Sequence, residues 1–295
     1  MSSTIYSQIA SNKRLTWVIV AFFIIFISAL AYFVGRIFFE SGPLFYVWAL
    51  LFSVISGFGG YYYSDKIVLA TVGAKEITKE ENPYIHNLVE NLCIGAGMPM
   101  PRIFIIDSPA MNAFATGRDP KNSVVCFTTG IISGLTKLEL EGVTAHELSH
   151  IANYDIRLMA IVGVLVGSIT LLFDMVFRFN LFGRSGKSEK GVGPLFLILG
   201  LAMLILSPIV ATLIKLAISR RREYLADSSG ALLTRFPDGL ADALTKISQD
   251  ANSLSSATTA TAHLFIANPF KGSAIRGIFD THPPVDERIK RLRDM

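Results

Sequence analysis

Four apolar runs divide the chain, with two polar, mixed segments between and after them. The first run, Leu15 to Gly35, is uncharged and follows Lys13-Arg14. As a helix it measures about 30 Å, the thickness of a hydrocarbon core. The second run, Pro43 to Tyr63, carries Trp48 and ends in Tyr61, Tyr62 and Tyr63, residues suited to a membrane–water interface. A short loop with Arg36 and Glu40 joins the two, so the pattern predicts a membrane hairpin. The third run, Leu158 to Phe173, is shorter and lies between Arg157 and Asp174. The fourth, Pro194 to Ile214, ends at Lys215 and holds Pro208, where a kink is expected. A basic, glycine-rich stretch, 178–193, separates them. A basic flank before an apolar run also fits a signal peptide, and Ala29-Leu30-Ala31 resembles a cleavage site. The run continues past that point and a second follows at once, which favours the hairpin.

The mixed segments predict an α+β unit. Asn82-Pro83 opens a helix over 83–96, which Met98–Pro101 breaks. Arg102–Asp107 and Ser123–Thr129 read as strands from their β-branched and aromatic content. Asn112–Gly117 (NAFATG) lies between them, before a turn at Asp119-Pro120. A strand just ahead of the next helix could pair with an extended peptide by strand addition. Asn112, Ala113, Phe114 and Ala115 are the candidate substrate-binding residues. Thr136 and Glu139 form a capping box, so a helix starts near Lys137. Its apolar positions include Val143, Ala145, Leu148 and Ile151, while His146, His150, Asn153 and Arg157 share a different stripe. Gly142 inside this helix costs about 1 kcal/mol relative to Ala, which a close backbone approach would explain. Further on, Pro237–Asp250 predicts an amphipathic helix and 251–262, rich in Ser, Thr and Ala, a mobile loop. Pro283-Pro284 predicts the start of a charged last helix. The expected organisation is a membrane hairpin over 1–64, a first soluble part over 65–155, a second membrane hairpin over 156–218, and a second soluble part over 219–295.

Composition agrees. The chain has 295 residues, 51% of them hydrophobic, and a net charge of +4. Its mean hydropathy of +0.48 is too high for an ordinary soluble domain. The basic residues cluster near the run ends, which suits a bilayer and excludes nucleic acid as the partner. Cys93 and Cys126 have no metal-type spacing, which favours a reducing compartment and a structural role.

The chemistry centres on His146-Glu147-Leu148-Ser149-His150, an H-E-x-x-H pattern on the capped helix. Residues four apart lie one above the other on one helix face. Two imidazoles so placed can hold one zinc ion, and the carboxylate beside the first can act as general base toward a water there. A third ligand is required, and Glu223 in RREYLADSSG is the candidate. Asp227, four residues on, shares its face and could orient one His. The third and fourth runs explain how so distant a ligand returns. If both cross as an antiparallel pair, His150 and Glu223 project from the same membrane face at about 9–12 Å beyond it. The metal reading therefore requires an even number of crossings between them. Lys13-Arg14, Lys66, Lys75, Arg157, Lys215 and Arg220–Arg222 favour that face being cytosolic. Arg178, Arg184, Lys187 and Lys190 argue the other way for the second hairpin.

HELSHIANYDI, EYLADSSGA, NAFATG and the HPPVDERI tail together resemble the HtpX family of bacterial integral-membrane zinc metalloproteases, related to the CAAX prenyl proteases. The resemblance covers most of the chain. It implies a membrane α-helical protein of about four hydrophobic segments with an α+β zincin-like (gluzincin) metalloprotease domain. It also implies one zinc ion per subunit, held by His146, His150 and Glu223, with Glu147 as catalytic acid/base. The implied setting is the cell (inner) membrane, multi-pass, with active site and termini facing the cytosol, and damaged or misfolded membrane proteins as substrates. In that family a His-Pro pair followed by Arg lies near the active site, which implies a role for His282 and Arg288. His282, stiffened by Pro283-Pro284, would donate to the oxyanion, and Arg288 would orient it or bind substrate. Three rivals stand beside this reading: a prenyl-peptide protease with a lipid-accepting chamber, a membrane scaffold retaining structural zinc, and a transporter. Four runs leave less room for the first, an intact Glu147 argues against the second, and no polar series within the runs supports the third.

Overall fold

A computed structural model describes residues 5–38, 43–167, 219–270 and 283–295. The basic stretch 178–193, the fourth apolar run, the end of the third, and His282 lie outside the described residues.

Two long helices open the chain, α1 (Ile5–Phe38) and α2 (Pro43–Val72). They pair antiparallel: Trp17 meets Tyr61 at 5.2 Å between ring centroids, and Ser28 Oγ lies 2.9 Å from Ser53 Oγ. Both are longer than the apolar runs within them. The extra turns of α1 are polar because they dock on protein: Asn12 is buried and Lys13 Nζ sits 4.1 Å above the Tyr154 ring. Within α1, Ile9–Phe26 is apolar and long enough to cross a membrane.

The strands β1 (Lys75–Glu76), β2 (Arg102–Ile106), β3 (Ala113–Asp119) and β4 (Asn122–Thr128) form one sheet in the order β1-β2-β4-β3. The helix α3 (Pro83–Ala96) precedes β2, capped by Asn82, whose side chain accepts from Ile85 N at 3.1 Å. β2 runs parallel to β4, and β3 returns antiparallel on it through the turn at Asp119-Pro120. The strand ahead of the next helices, β4, is therefore interior, and NAFATG forms the edge. Alternation along a strand splits the side chains between two cores. Phe104, Ile106, Phe114, Val124 and Cys126 join the core with α1 and α2. Ile103, Ala113, Ala115, Val125 and Phe127 join the core beneath the helix that follows.

After a short α4 (Thr129–Gly134), α5 (Lys137–Ala152) starts at the capping box: Thr136 N donates to Glu139 Oε2 at 2.7 Å. It stops at Asn153. Tyr154 has φ 60°, and α6 (Asp155–Gly167 as described) leaves at 82°. That break takes Arg157 off the stripe it would share with His146 on a continuous helix; its Nε donates to Arg118 O instead. α6 is buried on every side, as an all-apolar helix should be. Past the undescribed stretch come α7 (Arg220–Thr234), α8 (Pro237–Gln249) and α9 (Val285–Arg293). The loop 251–262, expected to be mobile, is packed: Leu254, Ala257 and Thr261 are buried, and Leu254 N donates to Pro269 O at 3.0 Å.

Two glycines set the helix packing around α5. A Cβ on Gly142 would lie 2.6 Å from Leu240 N, so the backbones of α5 and α8 touch there. A Cβ on Gly230 would lie 3.0 Å from His146 N. That contact seats α7 against α5 at the height of the H-E-x-x-H sequence.

Candidate active site

α5 carries His146 and His150 one turn apart, and α7 crosses it with Glu223 in its first turn. Three side chains converge. His146 Nε2 and His150 Nε2 are 3.1 Å apart, and Glu223 oxygens lie 3.5 Å from His150 Nε2 and 3.8 Å from His146 Nε2. Four ligands at zinc distances of about 2.0–2.1 Å in a tetrahedron are separated by about 3.3 Å. The triangle has the size of one such face, and these three residues form the one group of potential ligands found among the described residues.

The surroundings aim the imidazoles. His150 Nδ1 lies 3.0 Å from Asp155 Oδ2. His146 Nδ1 lies 2.9 Å from Asp227 Oδ1, though obliquely, without a well-aligned hydrogen bond. Each Nδ1 faces a carboxylate, so each Nε2 is left to face inward with its lone pair. Asp155 in turn accepts from Asn12 Nδ2 at 2.7 Å, and Arg222 Nη1 donates to Asn12 Oδ1 at 3.2 Å. The first helix of the chain thus braces the second histidine.

Arg288 comes from α9. Its Nε and Nη2 donate to the two oxygens of Asp227 at 2.9 and 2.7 Å, and its Nη1 lies 3.5 Å from Glu223 Oε2. It is 2% exposed, so it is no solvated surface charge despite its place in a charged helix. Glu147, also buried, receives the Ala115 backbone N–H from β3.

Burial and charge set the ionisation. Burial pushes Glu147 up to about 7, and the nearby Glu223 adds to this. Burial would lower His150, but the Asp155 hydrogen bond and the Glu223 and Glu147 charges raise it to about 9. Burial dominates at His146 and lowers it. Burial would raise Asp227, yet Arg288 and His146 hold it at about 2. Four carboxylates (Glu147, Asp155, Glu223, Asp227) face two guanidiniums, of Arg222 and Arg288. The raised His150 shows the excess of negative charge around it, a setting in which a bound cation would replace that proton.

Two further histidines and the candidates at 112–115 lie apart from this cluster, Ala115 excepted. His86 Nε2 pairs with Ile77 O at 3.0 Å and His263 Nε2 with Met159 O at 2.9 Å, which takes both away from the triangle. On the edge strand, Ala113 O accepts from Ile266 N at 2.9 Å and Asn112 Nδ2 donates to Ala267 O at 2.9 Å. Phe114 packs against Phe265 at 4.9 Å. Ala115 is the member of that candidate set that touches the site. Asp155 was missed by sequence reasoning, although it stands in the same HELSHIANYDI stretch. Its signal, a carboxylate five residues after His150, points to the imidazole only because the helix breaks at Asn153.

The comparisons with known proteins bear on what such a site does. The model of peptidase family M48 matches residues 79–295. A "Protease HtpX homolog" of Dictyoglomus turgidum is 46% identical over 99% of this chain and 95% of its own length. Proteins of the same description from Caldanaerobacter subterraneus and Streptococcus thermophilus are 41% and 42% identical, each over 99% of this chain and 98% and 100% of their own. The crystal structure of S. mikatae Ste24p is similar at 20% identity over 96% of this chain and 66% of that one, with a TM-score of 0.48. With the family model spanning both halves of the site and the relatives aligned over nearly their full length, the chain belongs to peptidase family M48 and is a metalloprotease.

Proposed function

We propose that the protein is a membrane-embedded, zinc-dependent endopeptidase that cleaves damaged or misfolded membrane proteins on the cytosolic side of the cell membrane. One observation carries the metal chemistry: the triangle of His146, His150 and Glu223 matches a tetrahedral face and is buried. His146, His150 and Glu223 would hold one zinc ion per subunit. When bound, zinc supplies Lewis-acid polarisation of a carbonyl and lowers the pKa of a water toward about 7. Glu147 would accept a proton from the attacking water and pass it to the leaving amine. Its buried carboxyl, poised near neutrality, suits both directions of transfer. Asp155 and Asp227 fix the imidazoles, and Arg288 holds Asp227 in place and adds positive charge beside Glu223. An extended substrate would meet β3 near Ala115, beyond the edge positions that Ile266 and Ala267 cover, and His282 would donate to the oxyanion.

The membrane part of the reading rests on four crossings by the four apolar runs. Exposed apolar side chains support it for the first pair, among them Val18, Ile25, Leu44 and Ile55, the last 68% exposed. Cleavage of casein by the detergent-purified full chain tests the activity. It should stop on chelation and return on adding zinc. Cleavage that persists after the metal is removed would end the proposal.

A further inference from the structure

A groove of about 790 Å³ lies away from the active site, between the C-terminal half of α2 and the sheet. One end is apolar, formed by Ile55, Phe58 and Gly59. The other end carries four cations, Lys66, Arg102, Arg118 and Lys121, with Asp65 the one carboxylate in its wall. Asp65 is engaged by Arg102 at 2.6 Å. Arg118 lies 3.6 Å from Asp119. Lys66 and Lys121 have no carboxylate within 4.0 Å among the described residues, so the charge there is in excess. Tyr62 and Tyr63 stand between the two ends, with Arg118 5.3 Å from the Tyr62 ring and Lys66 5.4 Å from the Tyr63 ring.

This order of chemistry follows a membrane interface. Along α2 an exposed apolar stripe, Leu44, Val47, Leu51 and Ile55, gives way to exposed Tyr62 and Tyr63 and then to Lys66. Hydrocarbon, interfacial aromatics and cations at headgroup height come in that sequence in spanning helices. What distinguishes this site is that the sheet adds Arg118 and Lys121 at the same level, which turns a helix surface into a groove. Gly59 keeps the apolar end open, since a Cβ there would meet nothing within 4 Å.

We propose that this groove binds one anionic phospholipid. Its phosphate sits among Lys66, Arg118 and Lys121, and an acyl chain lies over Gly59 between Ile55 and Phe58. The inference rests on the reading that α2 crosses the membrane.

Native mass spectrometry of the full chain in mild detergent tests it, with phosphatidylglycerol and phosphatidylcholine of identical acyl chains as probes. Wild type should retain one phosphatidylglycerol in preference to phosphatidylcholine. Lys66→Glu with Lys121→Glu should lower phosphatidylglycerol occupancy by about tenfold or more and leave phosphatidylcholine unchanged. Gly59→Leu should lower both, because it fills the acyl seat and leaves the charges. Unchanged casein cleavage in detergent confirms that the variants are folded. Wild-type phosphatidylglycerol occupancy in the double variant, or no effect of Gly59→Leu, overturns the site. A cysteine at Leu50 separates this from failure of the underlying reading. If it reacts freely with a membrane-impermeant maleimide in intact vesicles, α2 is not in the bilayer and both fall. If it is protected while the lipid results stay flat, the lipid site alone falls.

Discussion

At the scale of single residues, the two carboxylates behind the histidines differ in what they hold. Asp155 serves His150 and is itself held by Asn12. Asp227 serves His146 and neutralises the buried Arg288. Asp155→Asn should lower zinc affinity by about 10–100-fold with the fold intact. Asp227→Asn should lower zinc affinity and also cost about 3–5 kcal/mol, because it strands a buried guanidinium. Zinc titration with thermal unfolding in detergent separates the two; equal melting temperatures for both variants would contradict the pairing. The grouping of His146, Glu147 and His150 was legible in the sequence, since H-E-x-x-H places both histidines on one helix face with the carboxylate beside them. Glu223 was legible only jointly with them. Asp155 was not, because a periodic reading continues α5 through Asn153, and only the left-handed Tyr154 turns the chain back.

At the scale of elements, glycines decide how close the helices come. Gly142 lies against the backbone of α8, and relief there requires moving a helix rather than a side chain. Gly142→Ala should therefore destabilise the protein by about 1–2 kcal/mol, the overpacking cost exceeding the gain in helix propensity. Gly59→Ala, with open space above it, should instead stabilise α2 by about 0.5–1 kcal/mol. A raised melting temperature for Gly142→Ala would contradict the contact. The sequence marked Gly142 as an oddity and left its partner unnamed, since which helix approaches is a tertiary fact. Capping signals served better: Asn82-Pro83 gave the start of α3, and the Thr136–Glu139 box placed that of α5 near Lys137, where it lies. The extended start of α1 was not legible, because Asn12 and Lys13 read as a polar flank until Asp155 and Tyr154 are placed beside them.

At the scale of the molecule, the sheet and helices of the protease core stand on a helical pair that exposes apolar side chains, and α1 reaches from that pair into the site. The return of the chain from His150 to Glu223 passes through residues 168–218, outside the described part. The four-run pattern assigns it to a second hairpin. Cysteines at Lys137 and Leu232, both exposed on the core, should then share accessibility with one at the C-terminus, toward the cytosol. A cysteine at Ser185 should be labelled from the opposite side. Matching accessibility at Ser185 would mean that the second hairpin enters and leaves by the same face.

In the proposed mechanism His146, His150 and Glu223 hold the metal while Glu147 moves the proton. Zinc content and casein turnover, measured together on Glu147→Gln, test it most directly. One zinc per chain with kcat lowered by about 10²–10⁴-fold is the predicted result. Wild-type turnover, or loss of the metal along with the activity, would contradict it.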